Sequence, residues 1–371
     1  MQAKNFVLIS PKNRTAHNFR GELISEIIKL GYTVYVTGPN QIDVDKIEQL
    51  GAKFIEIPND KNGVNVLSDI KYLLNLISIF NTLKPEATLG YTVKPVIYGA
   101  IAARICRVKS ITSMITGVGY LFISKSLRAK ILKSIVLCLY KIGLASAHKV
   151  IFQNPDDRDE FVSNKLVSAA KTAIVNGSGV NMTKFSVEPY PEKLTFFMLS
   201  RVMHSKGVVE YATAAKVVKQ KYPEVRFMLL GAFEGIQDSI NEVDFRREYV
   251  DSGVIDYFGE SDNIPSYYAQ ASVYVLPSYR EGTPRTVLEA MSMGRAVITT
   301  DVPGCRETVI DGESGYLVAP RDVESLVVAM QRFIDDRSLP QSMGAKSHKY
   351  CYDKYRVEVV NESMIANMSI K

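Results

Sequence analysis

Several things are scarce in this 371-residue sequence. Between Ala87 and Pro155 there are 69 residues without a single Asp or Glu. Ten basic residues fall in that window: Lys94, Arg104, Arg107, Lys109, Lys125, Arg128, Lys130, Lys133, Lys141 and Lys149. The window therefore carries +10 of a chain whose net charge is +6, leaving −4 for the remainder. Such a block points to an anionic partner: nucleic acid, phospholipid or a phosphorylated substrate. Its longest charge-free stretch, Ser110 to Ser124, has 15 residues and contains Gly117 and Gly119, whereas a spanning helix needs about 20. The amino-terminal MQAKNFVLIS lacks the charged n-region, long apolar core and small-residue cleavage site of a signal peptide, and reads as a first strand. Only four cysteines occur, Cys106, Cys138, Cys305 and Cys351, with no C-x-x-C spacing. That argues against a disulfide or metal framework and for free thiols in a reducing cytoplasm. Repeats of solenoid length and low-complexity tracts are also missing.

What is present is globular: 46% hydrophobic and 23% charged residues, enough for two domains at about 100–200 residues each. Short apolar runs alternate with helix-length amphipathic segments. Strands are predicted at 6–10, 33–37, 54–57, 87–90, 110–115, 150–153 and 172–175, with helices at 20–30, 45–50, 64–83 and 96–107. The alternation pauses at 181–192, NMTKFSVEPYPE, which reads as a linker. It restarts with strands at 194–199, 226–230, 254–258, 273–276 and 296–300 and helices at 208–221, 264–270 and 286–293. This is α/β architecture with parallel sheets and helices on both faces. The expected division is a first domain at 1–180, a second at 193–351, and a helix at 352–371 packing back on the first domain.

The chemistry-bearing segment is Tyr279-Arg-Glu-Gly-Thr-Pro-Arg-Thr-Val-Leu-Glu-Ala-Met-Ser-Met-Gly294. Thr283 suits a helix N-cap and Pro284 the first helical position, which puts Glu281 in the entry loop and Glu289 inside the helix. Gly282 lets backbone N–H groups approach a ligand, and a helix N-terminus favours phosphate. Two carboxylates flanking a diphosphate can hold sugar hydroxyls. The plainer reading is that Glu289 pairs with Arg285 four residues earlier and Glu281 is an ordinary loop acid. A second segment, Leu199-Ser-Arg-Val-Met-His-Ser-Lys-Gly207, follows a strand and precedes a helix. Ligands of open α/β sheets bind at such carboxyl ends, and Arg201 with Lys206 can neutralise a diphosphate leaving group.

Together with Gly231, Tyr257-Phe-Gly259 and Ala296–Val318, these segments resemble the retaining GT-B glycosyltransferases called family four, or glycosyl transferases group 1. The resemblance implies two Rossmann-like domains whose parallel sheets face each other across a cleft. It implies a UDP-sugar donor on the second domain, with Arg201 and Lys206 on the diphosphate, Glu289 on the ribose and Glu281 near the hexose. Gly231, Tyr257, Gly282, Thr283, Pro284 and Arg285 would line the same site. Retention of anomeric configuration is implied, with no metal and no cofactor besides the donor. The D-x-D at Asp43-Val-Asp45 is not expected to hold a metal.

The first domain departs from the family. Its first loop, Ser10–Arg20, has no glycine pair, and neither Leu89–Lys94 nor Ile115–Tyr120 supplies the histidine many relatives carry there, so no catalytic base is assigned. His17 is the first-domain histidine placed in a loop facing the expected cleft, a candidate acceptor contact; His204 could touch phosphate, and His148 reads as structural. Gly90–Gly99 followed by Thr116-Gly-Val-Gly-Tyr120 resembles a subgroup extending polyprenyl-diphosphate-linked saccharides, which implies a lipid-linked acceptor near Lys94, Thr116, Gly117 and Tyr120. Leu121–Lys141 interleaves Lys125, Arg128, Lys130, Lys133 and Lys141 with apolar residues, as a helix lying in a membrane interface does; equally, its apolar face could pack on the core. Nucleic acid is disfavoured, since no helix-turn-helix, zinc or RNP signature is present.

The expectation is a hexosyl- or N-acetylhexosaminyltransferase at the inner face of the cytoplasmic membrane. The rivals are a sugar-nucleotide epimerase, a soluble-acceptor transferase of the same fold, and a silent nucleotide-sugar-binding subunit.

Overall fold

The computed structural model describes residues 4–58, 65–117, 127–235 and 238–370; within 127–133 it describes the backbone alone. The chain forms two compact units, Met1–Ser178 with Glu358–Lys371, and Gly179–Val357.

The first unit carries a seven-stranded sheet in the order β3-β2-β1-β4-β5-β6-β7. Its strands are β1 (Lys4–Ile9), β2 (Tyr32–Gly38), β3 (Lys53–Glu56), β4 (Ala87–Tyr91), β5 (Ser110–Ile115), β6 (Lys149–Phe152) and β7 (Thr172–Ile174), all parallel. Unbroken apolar strands such as Phe6-Val-Leu-Ile9 mean burial on both faces. Accordingly Val7 and Ile9 join one core cluster and Phe6 and Leu8 another. The connecting helices are α1 (Asn13–Lys29), α2 (Val44–Glu48), α3 (Val66–Leu83), α4 (Ala100–Ile105, entered through a π-helical stretch Pro95–Gly99), α5 (Leu127–Ser146) and α6 (Pro155–Ser163). Three of them, α3, α4 and α5, pack side by side over the Val7/Ile9 cluster.

The second unit has a six-stranded parallel sheet, β10-β9-β8-β11-β12-β13. Its strands are β8 (Thr195–Leu199), β9 (Arg226–Leu230), β10 (Asp256–Tyr257), β11 (Val273–Leu276), β12 (Ala296–Thr300) and β13 (Gly315–Val318). Its helices are α7 (Val208–Lys221), α8 (Glu242–Phe245), α9 (Ile264–Ala269), α10 (Arg285–Ser292), α11 (Val323–Asp335) and α12 (Leu339–Tyr355). The chain then returns to the first unit as α13 (Val357–Met368), where Val360, Met364 and Met368 complete the Phe6/Leu8 cluster.

Residues 181–192 differ from the expected linker. The passage between units lies at Ser178/Gly179, and 181–192 belongs to the second unit. Phe185 is buried in that unit's core, and the buried Arg295 donates to the Pro189 carbonyl and stacks 4.6 Å from the Tyr190 ring. The two prolines and polar residues that look like a tether are held by one arginine about a hundred residues later. The expected single helix at 352–371 is likewise two: α12 ends at Tyr355, and the chain changes units after Val357.

Candidate active site

In an open parallel sheet, ligands bind beyond the carboxyl ends of the strands where the strand order reverses. In the second unit that point lies between β8 and β11. The loops leaving these two strands, 200–207 and 277–284, carry both sequence-derived segments.

The end of the β8 loop is fixed by packing. Tyr274 on β11 donates to the Leu199 carbonyl, 3.0 Å, setting where the chain leaves β8. Gly207 has φ +72°, and a Cβ there would collide with the Pro277 carbonyl. The glycine ending the R-x4-K segment thus lets the two loops touch. Tyr279 N–H donates to the Ser205 carbonyl, 2.9 Å, and Ser205 N–H to the Asp238 carboxylate, 3.0 Å.

Across this junction Lys206 Nζ meets Glu281 Oε1 at 2.5 Å, both side chains mostly buried. Ser278 donates to the same oxygen, 2.7 Å. Arg201, more exposed, pairs with Glu234 on the loop after β9, 3.1 Å. The arginine and lysine thus enter the site already matched by carboxylates.

Gly231 follows β9. Its φ is +148°, and a Cβ would collide with the Ser200 carbonyl. Tyr257 donates to the Gly231 carbonyl, 2.7 Å, and its ring takes the edge of Phe233 and a guanidinium, that of Arg246, 4.8 Å away. Glycine is required here by the chain's own packing, which aligns the β8 and β9 loops.

The helix that follows Glu281 starts one residue later than expected: Pro284 is the extended N-cap and Arg285 the first helical residue, with no side-chain cap bond. Proline fixes φ but not ψ, and here ψ of 108° keeps Pro284 outside the helix. Its carbonyl still accepts from Val287 and Leu288 N–H. Gly282 is buried and Thr283 half-buried in this entry loop. Arg285 Nε lies 3.3 Å from Glu289 Oε1, so the plainer i,i+4 pairing exists. It does not lie on a solvated face, however, because both side chains are mostly buried. Tyr268 donates to Glu289 Oε2, 3.2 Å, and to the Thr286 carbonyl, 2.7 Å. Burial raises the Glu289 pKa, with the Arg285 charge opposing. A carboxylate held there against its desolvation cost marks a functional candidate.

Sequence reasoning missed Glu234, Asp238 and Tyr268. The first two lie in the polar loop after β9, which has no helical or strand period; Tyr268 sits on the expected short helix, but its partner Glu289 is on another helix, a contact no periodicity marks.

In the first unit, His17 lies in α1 rather than a loop. The helix begins at Asn13 without a side-chain cap, and Asn13 is instead tied sideways to the Asn40 and Ile42 carbonyls, both 2.7 Å. Burial lowers the His17 pKa, and Asp43 Oδ2 is 4.0 Å from its Nε2. Asp43 of the D-x-D pairs with Lys46, 2.8 Å, whose hydrogen bond lowers its pKa. Lys94 pairs with Asp69 of α3, 2.7 Å, and Tyr98 donates to the other Asp69 oxygen, 3.0 Å. Thr116 and Gly117 directly follow β5, both half-buried. Tyr120 and Lys125 lie outside the described residues, as do the side chains of Arg128, Lys130 and Lys133 on α5. His148 Nδ1 accepts from the Ile111 N–H, 3.1 Å, a structural role, whereas His204 is exposed in the β8 loop.

Residues 181–350 match the family profile described as glycosyl transferases group 1, and residues 7–154 that described as glycosyl transferase 4-like. The chain belongs to this glycosyltransferase family. It is similar to the N,N'-diacetylbacillosaminyl-diphospho-undecaprenol alpha-1,3-N-acetylgalactosaminyltransferase of Campylobacter jejuni, 24% identical over 345 residues and 89% of each chain. It is also similar to the UDP-Gal:alpha-D-GlcNAc-diphosphoundecaprenol alpha-1,3-galactosyltransferase of Escherichia coli, 24% identical over 76% of this chain and 75% of the relative. Among solved structures, Anabaena HepE in complex with UDP and glucose superposes with a TM-score of 0.80 at 16% identity, covering 98% of this chain and 99% of that one. The fold class expected from the sequence, α/β of GT-B type with two parallel-sheet domains, is the fold of this glycosyltransferase.

Proposed function

We propose that this glycosyltransferase moves a hexose or N-acetylhexosamine from a UDP-sugar to a polyprenyl-diphosphate-linked saccharide at the inner face of the cytoplasmic membrane. Transfer retains anomeric configuration and uses neither a metal ion nor a cofactor besides the donor. The observation that carries the reading is the Lys206–Glu281 pair at the β8/β11 switch point, with Arg201 on the same loop. The two cations supply what a metal ion supplies elsewhere: they neutralise the diphosphate as charge develops on departing UDP. The amino end of α10 adds its dipole. Glu289, rigidly bonded to Tyr268, accepts from ribose hydroxyls, and Glu281 holds the hexose. The Lys206–Glu281 and Arg201–Glu234 pairs keep both cations in place before the donor arrives. In the first unit, Lys94, Thr116 and Gly117 lie at or just beyond the carboxyl ends of β4 and β5 and contact the acceptor.

The two relatives named above act on diphospho-undecaprenol saccharides, and the E. coli one takes UDP-Gal; both support this choice of donor and acceptor class. The test is a screen of UDP-sugars by UDP release with a defined polyprenyl-diphosphate-sugar. Release that requires the lipid acceptor is expected; release on soluble acceptors alone, or a sugar epimer without release, overturns the reading.

A further inference from the structure

The outer surface of the α3–α4–α5 layer carries apolar side chains that the fold does not use. On α3, Tyr72, Leu76 and Phe80 are buried in the core, yet Leu67 is 79%, Ile70 49% and Leu74 58% exposed. At about 100° per residue these three fall within about 60° of one another, opposite the buried side. The outward face of α5 repeats the spacing. Tyr140 and Leu144 are buried, while Ile135 and Ile142 are half exposed and Cys138, between them, is exposed too. Both stripes run i, i+3, i+7. Ile105, ending α4 between them, is 57% exposed. A surface helix that is apolar on its outer face as well as its inner one needs a second apolar environment.

The charge around the stripes says which. Lys71, Arg104 and Lys141 are exposed on the three helices. The one acid in these helices, Asp69, is held by Lys94 and Tyr98. We infer that this face, led by Leu67, Ile70 and Leu74 on α3 with Ile135 and Ile142 on α5, docks on an anionic lipid bilayer. The apolar teeth enter the interface, and Lys71, Arg104 and Lys141 meet the headgroups. The inference rests on the reading that the acceptor is lipid-linked, and it adds two stripes of exposed apolar residues to the basic residues 125–133 as the membrane contact.

The full chain is tested by flotation with vesicles of phosphatidylglycerol and phosphatidylcholine against phosphatidylcholine alone. Salt-sensitive flotation with the anionic vesicles is expected. The triple substitution Leu67→Ser, Ile70→Ser, Leu74→Ser should weaken it more than tenfold. Lys71→Gln, Arg104→Gln and Lys141→Gln should weaken it about fivefold per charge. All six positions are solvent-exposed, so folding is retained. A polarity-sensitive fluorophore on Cys138, with Cys106→Ala removing the other accessible thiol, should shift to the blue on mixing with anionic vesicles. Equal flotation of the serine variant, or an unchanged probe, overturns the inference. So does a dimer of the parent that the serine variant dissociates, because a second copy would then cover the face. UDP release on a short-chain, water-soluble polyprenyl analogue separates the two readings. Normal release without flotation sinks the docking face alone. Flotation without release on any lipid-linked acceptor sinks the proposed reaction alone.

Discussion

The carboxyl edges of the two sheets have the same topology and different chemistry. In the second unit the edge is ionic and paired: Lys206 with Glu281, Arg201 with Glu234, Arg285 with Glu289. In the first unit hydroxyls line the middle of the edge, with the Lys94–Asp69 pair beside them. Tyr91 bonds to Ser10 and Thr15, above a buried Arg20 whose guanidinium lies 5.5 Å from the Tyr91 ring and donates to the Met114 sulfur. Strand order decides where a ligand can sit, and the loops decide which ligand it is. In the proposed reaction the donor's diphosphate takes the place of the carboxylates that hold Lys206 and Arg201, so the cations need little rearrangement. In the proposed reaction a saccharide meeting the first unit finds these hydroxyls together with the Lys94–Asp69 pair.

Removing a cation breaks this contrast most severely. Lys206→Ala, and separately Arg201→Ala, should lower kcat by about a hundredfold to a thousandfold, the range for a lost transition-state donor. Circular dichroism should show a folded protein. Near-normal UDP release by either variant would sink the donor assignment.

Glu289→Gln should weaken UDP binding in titration calorimetry by at least tenfold. It should also raise thermal stability at neutral pH. Burial lifts the Glu289 pKa in the folded state, so its contribution to stability is full below the ordinary carboxylate pKa of about 4.3 and is lost as pH rises through the lifted value. Glutamine does not ionise, so its melting-temperature advantage should grow from about pH 4 to pH 7. An advantage that shrinks over that window would show the carboxylate to be favoured by the fold.

On the hydroxyl edge, Tyr91→Phe should cost about 1 kcal/mol, the net worth of an ordinary hydrogen bond. It should raise the KM for the acceptor and leave the KM for the donor unchanged; a change confined to the donor would reverse the division of labour. The smallest effect belongs to His17. Burial depresses its pKa, so the fold loses stability as pH falls from about 6.5 through the lowered value. His17→Gln should flatten the melting curve over that interval by about a degree and leave kcat unchanged at neutral pH.

Much of this was legible in the residues. Strand cores and the helices of the second unit follow from apolar runs and periodicity, as the matching limits of β5, β9, β11, β12 and α7 illustrate. The start of α1 was not legible, because its inward face is Asn13, Ala16, Arg20 and Gly21, polar or small where a helix pattern needs large apolar residues. Strand β13 begins at a glycine and has only four residues, and α6 is mostly charged. In the site, residue types and spacing marked Arg201, Lys206, Glu281 and Glu289. Their partners Glu234 and Tyr268 come from a loop 33 residues away and a short helix 21 residues away, where pairing is set by the tertiary fold alone.

The return of α13 to the first unit bears on synthesis. A ribosome delivers β1–β7 first, yet the underside of that sheet waits for Val360, Met364 and Met368, which are made only after the whole second unit. The second unit is complete by Val357 and can close while the first still exposes Phe6 and Leu8. The unit translated first therefore closes after the second, and a stop codon in place of Glu358 would leave an intact second unit joined to an open, aggregation-prone first one.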